Sequence, residues 1–297
     1  MRVAHVPLDL LDELVVAFGT HDLAALAVDH FAHAALLGLD AVMRIVHRRA
    51  CSYLVESLAE TRIQLCGRLV VRIDGRRLER ELPGRQGRLA FAYLAVNRHR
   101  SVTRDELAGA LWDEPGASDR LSPLLSKLRS AVPLDGRGEV RLTLPAAAWI
   151  DVEAAAEGLH RAESAVAQGD FGTAWAPGRV AQHIATREFL PGGTERWVDE
   201  QRGRLEEILV RALELVGRAC VEIGAGELDT AERAARNLIA RAPYRESGHR
   251  LLMETLSARG NSAEALIVYE ALRQRLRAEL GAAPSAQTKE LHRRLLG

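Results

Sequence analysis

Arg85-Gln-Gly-Arg-Leu-Ala-Phe-Ala-Tyr-Leu-Ala-Val96 opens the stretch that decides the fold. It predicts a first helix, followed by a polar break at Asn97 to Arg100. A second helix opens on Ser101-Val-Thr-Arg-Asp-Glu106 and runs to Leu111-Trp112. Asp113 to Ala117 carries Pro115 and Gly116 and reads as a turn. A third helix ends in Leu124-Leu-Ser-Lys-Leu-Arg-Ser-Ala-Val132 and stops at Pro133. The loop Asp135-Gly-Arg-Gly138 and the alternating strand Val140-Arg-Leu-Thr-Leu144 follow. Three short helices and a terminal hairpin predict a winged helix-turn-helix. Such a module sets one helix to enter a major groove, one to brace it, and a wing to meet the backbone.

Upstream, the period changes to two. Ile63, Leu65, Leu69, Val71 and Ile73 alternate with polar residues apart from a break at Gly67, and Asp74-Gly75 is a hairpin signal. Residues 63–82 therefore predict a small sheet ahead of the helices. Residues 1–62 read as a helical extension of unassigned role. Leu10, Leu11, Leu14, Val15 and Phe18 fall at helical spacing, as do Val42, Ile45 and Val46. His30 and His33 could share a helix face, but no Cys or carboxylate partners stand at ligand spacing, so no metal site is expected. From Asp151 to the end the chain reads as helix, broken at Pro177, Pro191-Gly-Gly193, Gly224, Gly226, Pro243, Gly260 and Pro284. A weak repeat at a 34-residue offset matches Gly226 with Gly260, Ala231 with Ala265 and Ala235 with Tyr269. That period belongs to tetratricopeptide helix pairs. A generic helical bundle with coincident glycines is the alternative to this reading. The expected class is mostly α: a winged helix-turn-helix with small sheet and wing over 63–150, then an all-α tetratricopeptide-like domain over 151–297.

Forty Lys and Arg balance forty Asp and Glu over 297 residues. The distribution is uneven. Residues 63–150 hold 15 basic against 10 acidic side chains, residues 1–62 hold 5 against 8, and residues 151–297 hold 20 against 22. The basic block coincides with the winged helix. Cys51, Cys66 and Cys220 are single and distant, which excludes a disulfide framework or a CxxC zinc site and fits a reducing cytoplasm. The acidic start of the chain does not read as a signal peptide, and no apolar run reaches membrane length. GxxxxGK[ST], GxSxG and HExxH do not occur, so no enzyme and no cofactor is expected.

The third helix divides by face. Leu121, Leu124, Leu125, Leu128 and Val132 fall on one side and predict burial. Asp119, Arg120, Ser126, Lys127 and Ser130 fall opposite, with Arg129 at the flank. Lys and Arg reach guanine edges or phosphates, and Ser can do either. Arg137 and Arg141 flank the wing turn. Arg85 and Arg88 on the first helix and Arg104 on the second are further phosphate candidates, each of which could simply solvate a surface. Trp112, Trp149 and Trp197 read as packing residues.

With both halves in view, the chain resembles the bacterial activators of the antibiotic-regulatory-protein type. These join a winged helix of the response-regulator kind to a bacterial transcriptional activator domain of tetratricopeptide-like helices. The resemblance rests on Leu69-Val-Val-Arg-Ile-Asp-Gly75, Val102-Thr-Arg-Asp-Glu-Leu-Ala-Gly-Ala-Leu-Trp112, Leu124-Leu-Ser-Lys-Leu-Arg129 and Trp149-Ile-Asp-Val152. It continues through Arg196-Trp-Val-Asp-Glu200, Pro243-Tyr-Arg-Glu-Ser-Gly-His-Arg-Leu-Leu-Met253, Gly260-Asn-Ser-Ala-Glu-Ala-Leu266 with Tyr269, Leu280-Gly-Ala-Ala-Pro-Ser285 and Leu291-His-Arg-Arg-Leu295. It implies sequence-specific binding of promoter repeats in double-stranded DNA, contact with RNA polymerase and pairing of two copies on DNA. No membrane partner is implied. Two features depart from the pattern. Residues 1–62 lie outside it, and Pro123 removes a backbone donor early in the third helix. Either that helix starts at Ser122 or its first turn is distorted. A helical interaction scaffold whose winged helix no longer binds DNA, or a sensor whose helical domain takes a ligand, are the alternatives.

Overall fold

The computed structural model describes residues 61–112, 118–224 and 226–296. The helical extension expected over 1–62, with His30 and His33, lies outside the described residues except at its last two positions. Chain contacts divide the protein into two compact units. One comprises the described residues up to Ala154 together with Arg187–Leu205, and the other Ala155–Thr186 with the described residues from Glu206 onward.

The first unit opens on a four-stranded sheet. β1 (Arg62–Gln64), β2 (Val70–Ile73) and β3 (Arg76–Arg77) run antiparallel, and β7 (Trp149–Ile150) joins β1 in parallel. Asp74 and Gly75 both take positive φ, 49° and 79°. Two left-handed residues in a two-residue turn match the twist of the strands they join. Ile63, Leu65, Val71 and Ile73 are buried, as their alternation requires, and Leu69 is half-buried. The join expected at Trp149-Ile150 is thus an edge strand of this sheet. The next residue, Asp151, is buried and accepts the N–H groups of Leu65 (2.9 Å) and Cys66 (2.8 Å), so it fixes the end of β1 to the start of the following helix. Burial pushes its carboxyl above the usual range, against the pull of those N–H bonds.

Three helices follow the sheet: α1 (Gly84–Val96), α2 (Arg104–Leu111) and α3 (Ser118–Ala131). α2 starts later than its sequence reading. Val102–Thr103 forms strand β4, and the Thr103 hydroxyl caps α2 by accepting the Glu106 N–H at 3.2 Å. Trp112 lies past the helix in extended backbone. The wing is β5 (Leu134–Asp135) and β6 (Glu139–Leu142), with β6 paired on its other edge to β4. Gly136 turns the wing at φ +80°, where a Cβ would fall 2.0 Å from the Glu139 carbonyl oxygen, so only glycine fits.

The second unit is helical among its described residues. It contains α4 (Asp151–Ala167) from Ala155 on, α5 (Phe171–Ala185), α6 (Arg196–Ile223) from Glu206 on, α7 (Leu228–Arg241), α8 (Glu246–Ala258), α9 (Ser262–Leu280) and α10 (Ala286–Leu296). Small residues mark the closest approaches. A Cβ on Gly158 would come within 2.7 Å of the Pro177 carbonyl, and one on Gly217 within 2.4 Å of Leu251 Cδ2. α9 begins 34 residues after α7, and Ala231 and Ala265 are both fully buried. The glycine match is looser. Gly260 is left-handed at +81°, but the left-handed glycine ending α6 is Gly224 at +100°, two residues before Gly226. The period also lapses in the second helix of the pair, because α9 runs to Leu280 before α10 starts.

Candidate nucleic-acid interface

α3 buries Leu121, Leu125, Leu128 and Val132 completely or nearly so, with Leu124 half-buried. Its other side exposes Asp119, Arg120, Pro123, Ser126, Lys127, Arg129 and Ser130. The helix begins at Ser118, four residues before Ser122, so Pro123 falls in its second turn. Neither sequence alternative for the helix start describes this. The helix tolerates Pro123 because the ring faces out and the lost N–H leaves only the Asp119 carbonyl without a donor, at an exposed position.

Three of the predicted cations fasten this helix and its wing to the frame. Arg104 donates to Ser122 Oγ at 2.6 Å and to the Arg137 carbonyl at 3.5 Å, linking the start of α2 to α3 and the wing turn. Arg129 donates to the Gly136 carbonyl in the same turn. Arg141 donates to the Arg98 carbonyl at 3.1 Å, tying β6 to the segment after α1. The wing therefore stands beside the exposed face of α3 at a fixed position. Arg137 is exposed at its tip, and the Ser130 hydroxyl donates to the Lys127 carbonyl at 2.7 Å within α3. Arg85 and Arg88 lie elsewhere. They lie among the first five residues of α1, the end remote from Arg98, and α1 is about 20 Å long by its helical rise. Arg85 pairs with Glu195 at 2.7 Å and donates to Thr194 Oγ1 at 3.3 Å.

A further network, not singled out from sequence, stiffens the other side of α2. Tyr93 donates its hydroxyl to Glu106 at 2.7 Å, and Arg100 pairs with the same carboxylate at 2.5 Å. Arg100 holds the Glu106 carboxyl down to about 2, and burial with the Glu106 contact pushes the Tyr93 phenol up to about 12. The Thr103-Arg-Asp-Glu106 spacing is a capping signature that would have placed both the start of α2 and this glutamate. Arg98 pairs with Glu153 at 2.6 Å. Segment 187–205 also packs here: Trp197 lies edge-on to Tyr93 at 5.1 Å and to Phe189 at 5.9 Å.

Residues 150–296 match the family profile described as "Bacterial transcriptional activator domain". The second half of this chain is such a domain. Over 230 residues the chain is 32% identical to the regulatory protein AfsR of Streptomyces coelicolor, covering 75% of this chain and 23% of that protein. Over 220 residues it is 31% identical to AfsR of Streptomyces griseus, covering 71% of this chain and 22% of that one. The chain thus spans less than a quarter of the length of these curated relatives. Among solved structures it is similar to Mycobacterium tuberculosis EmbR, determined in complex with a low-affinity phosphopeptide. The TM-score is 0.67 at 24% identity, covering 80% of this chain and 65% of that one. This likeness shows a shared fold. The resemblance to the antibiotic-regulatory-protein type holds, with a winged helix ahead of the activator domain.

The motifs of the activator domain have structural explanations within it. From Pro243-Tyr-Arg-Glu246, the Tyr244 hydroxyl donates to Glu279 at 2.6 Å and Arg245 pairs with Glu214 at 2.9 Å. Glu246 accepts from Ser285 N–H at 3.0 Å, Ser285 Oγ at 2.7 Å and Thr288 Oγ1 at 2.5 Å. His249 meets the Pro243 carbonyl at 3.0 Å. No group of three His, Cys, Asp or Glu side chains suited to a metal is found among the described residues. Nor is any helix among them long and apolar enough to cross a membrane.

Proposed function

We propose that the chain is a sequence-specific DNA-binding transcriptional regulator, an activator that works from promoter repeats. The observation that carries this reading is the exposed face of α3 held beside a braced wing. Arg120, Ser126, Lys127 and Ser130 enter the major groove, and Arg137 at the wing tip meets the backbone. Arg104, Arg129 and Arg141 hold the helix and wing at one spacing and have donors left over for phosphate. Arg85 and Arg88 lie away from that surface and contribute at most to long-range attraction. The activator domain contacts RNA polymerase or a second copy of the chain, and the protein works in the cytoplasm without enzymatic chemistry. Residues 63–150 and 151–297 are the working halves of this proposal, with segment 187–205 serving the first.

The test is a titration of promoter DNA at several salt concentrations. Phosphate neutralisation predicts that log affinity falls steeply and linearly with log salt, by about 0.9 per phosphate contact. A genome-wide footprint supplies the promoter. A flat salt response, or affinity indifferent to sequence, favours the scaffold alternative.

A further inference from the structure

In the first unit, at the first-turn end of α1, lies a cavity of about 570 Å³. That volume is within the range of small-molecule sites, about 300–1,000 Å³. Its lining is unusual in charge. Arg68, Arg85 and Arg88 contribute to it and no carboxylate does. The rest is largely apolar, chiefly Leu69, Leu89 and Leu190. Among the described residues neither Arg68 nor Arg88 makes an ion pair, while Arg85 is held by Glu195 and Thr194. One cation is thus positioned in advance and two keep their charge available.

A second observation bears on the same cavity. Leu190 has φ +41°, a left-handed conformation that strains a residue carrying a Cβ. It is kept there by hydrogen bonds on both sides. Its N–H donates to the Leu65 carbonyl at 2.9 Å, and its own carbonyl accepts from Gly193 N–H at 2.9 Å and from Arg202 at 3.1 Å. The fold holds this leucine against the cavity at a cost to the backbone.

We propose that this cavity binds a small amphipathic carboxylic acid. The carboxylate pairs with the guanidinium groups of Arg68 and Arg88 beside Arg85, and the apolar body covers Leu69, Leu89 and Leu190. The lining chooses the class. A cation meets the two available guanidinium charges of Arg68 and Arg88, since only Arg85 is offset by a carboxylate. A zwitterion finds no carboxylate for its ammonium. A bare phosphate satisfies the arginines but leaves the leucine surface wet and forgoes its burial. A DNA backbone is disfavoured for the same reason and by the distance of this end of α1 from the wing. The site would place a small-molecule input on the winged-helix unit.

The experiment is calorimetric titration of the full chain, without DNA, so that its outcome is independent of the DNA-binding proposal. The probes are 4-phenylbutyrate, 4-phenyl-1-butanol and inorganic phosphate. Phenylbutyrate should bind at one site, about tenfold or more tighter than either control. Arg68→Gln with Arg88→Gln should weaken it by about tenfold or more. Arg88→Gln alone, at an exposed position, should weaken it measurably with an unchanged circular dichroism spectrum. Phosphate binding as tightly as phenylbutyrate overturns the amphipathic class. Unchanged affinity in Arg88→Gln and the double variant, or no saturable heat with phenylbutyrate, overturns the site.

Discussion

Trp197 donates its indole N–H to the carbonyl oxygen of Ala110 at 2.9 Å, across 87 residues of sequence. Ala110 is in the last turn of α2, where carbonyls lack helical partners, so the indole satisfies a group that would otherwise need water. The same ring lies edge-on to Tyr93 and Phe189. Trp197 thus helps fasten segment 187–205 to the winged helix, beside the Arg85–Glu195 pair and the Leu190 N–H bond to the Leu65 carbonyl.

Trp197→Ala should therefore destabilise the winged-helix unit, although Trp197 falls within the activator-domain match. The loss combines buried aromatic area with one hydrogen bond, about 2–4 kcal/mol. Urea unfolding of the full chain, followed through a probe on the first unit, measures it. A fragment ending at Ala154 should show a larger deficit, since it also loses the Arg85–Glu195 pair and the Leu190 N–H bond to the Leu65 carbonyl. Wild-type stability in both would mean that this packing adds nothing.

Much of this architecture is legible in the residues. The two-period of Ile63 to Ile73, the Asp74-Gly75 turn and the 3–4 spacing of the α3 leucines each record burial on one face, and burial is what pattern reports. Segment 187–205 is not legible, because its link to α2 is one tryptophan meeting a carbonyl far away in sequence. The candidate face of α3 is legible for the same reason as its core, being its complement. The bracing roles of Arg104, Arg129 and Arg141 are not, since an arginine bound to a carbonyl and one facing solvent look alike in sequence.

Lys127→Ala should weaken binding of promoter DNA. If Lys127 reads a base, the cost is about 1–3 kcal/mol and specificity relaxes at one position. If it meets phosphate, affinity falls uniformly and the salt slope shrinks by about 1. Anisotropy titrations on matched and mismatched sites separate the two. Unchanged affinity with the fold intact by circular dichroism counts against this register of α3.

Bracing and reading should separate experimentally. Arg104→Ala removes the links to Ser122 and to the wing turn, so it should loosen the wing as well as lower affinity. Hydrogen exchange at Gly136 to Gly138 should quicken in Arg104→Ala and stay unchanged in Lys127→Ala. Equal protection in both would assign Arg104 to contact alone.

Glu106 makes the stability of the first unit sensitive to acid. Arg100 is the largest cause of its lowered pKa, about 2 against an ordinary 4.5. A carboxyl whose pKa is depressed on folding contributes its stability above the unfolded value and loses it as pH falls through the folded one. The advantage of wild type over Glu106→Gln should be full above about pH 4.5 and shrink toward zero near pH 2. Since the pair is partly solvated, 1 M salt should reduce it too. A difference that stays constant from pH 5 to pH 2 would show that Arg100 does not set the titration.

Ala265→Leu tests the helix pairs of the activator domain. Ala265 is fully buried on α9, in one cluster with Leu252, Leu256 and Tyr269. Ala231, 34 residues earlier, is buried on α7 against Val216 and Cys220. Each methyl is at a crossing where a larger side chain must push a neighbour aside. Overpacking of this kind costs about 1–3 kcal/mol. Gly217→Ala should act similarly, because its added methyl would need the space of Leu251 Cδ2. It has an internal offset, since alanine is the better helix former by about 1 kcal/mol. Ala265→Leu should therefore lower the melting temperature more than Gly217→Ala, and neither should alter DNA affinity below the transition. A neutral Ala265→Leu would mean that α8 and α9 are not closely packed at this residue. The 34-residue register would then be a coincidence of sequence, not the spacing of stacked helix pairs.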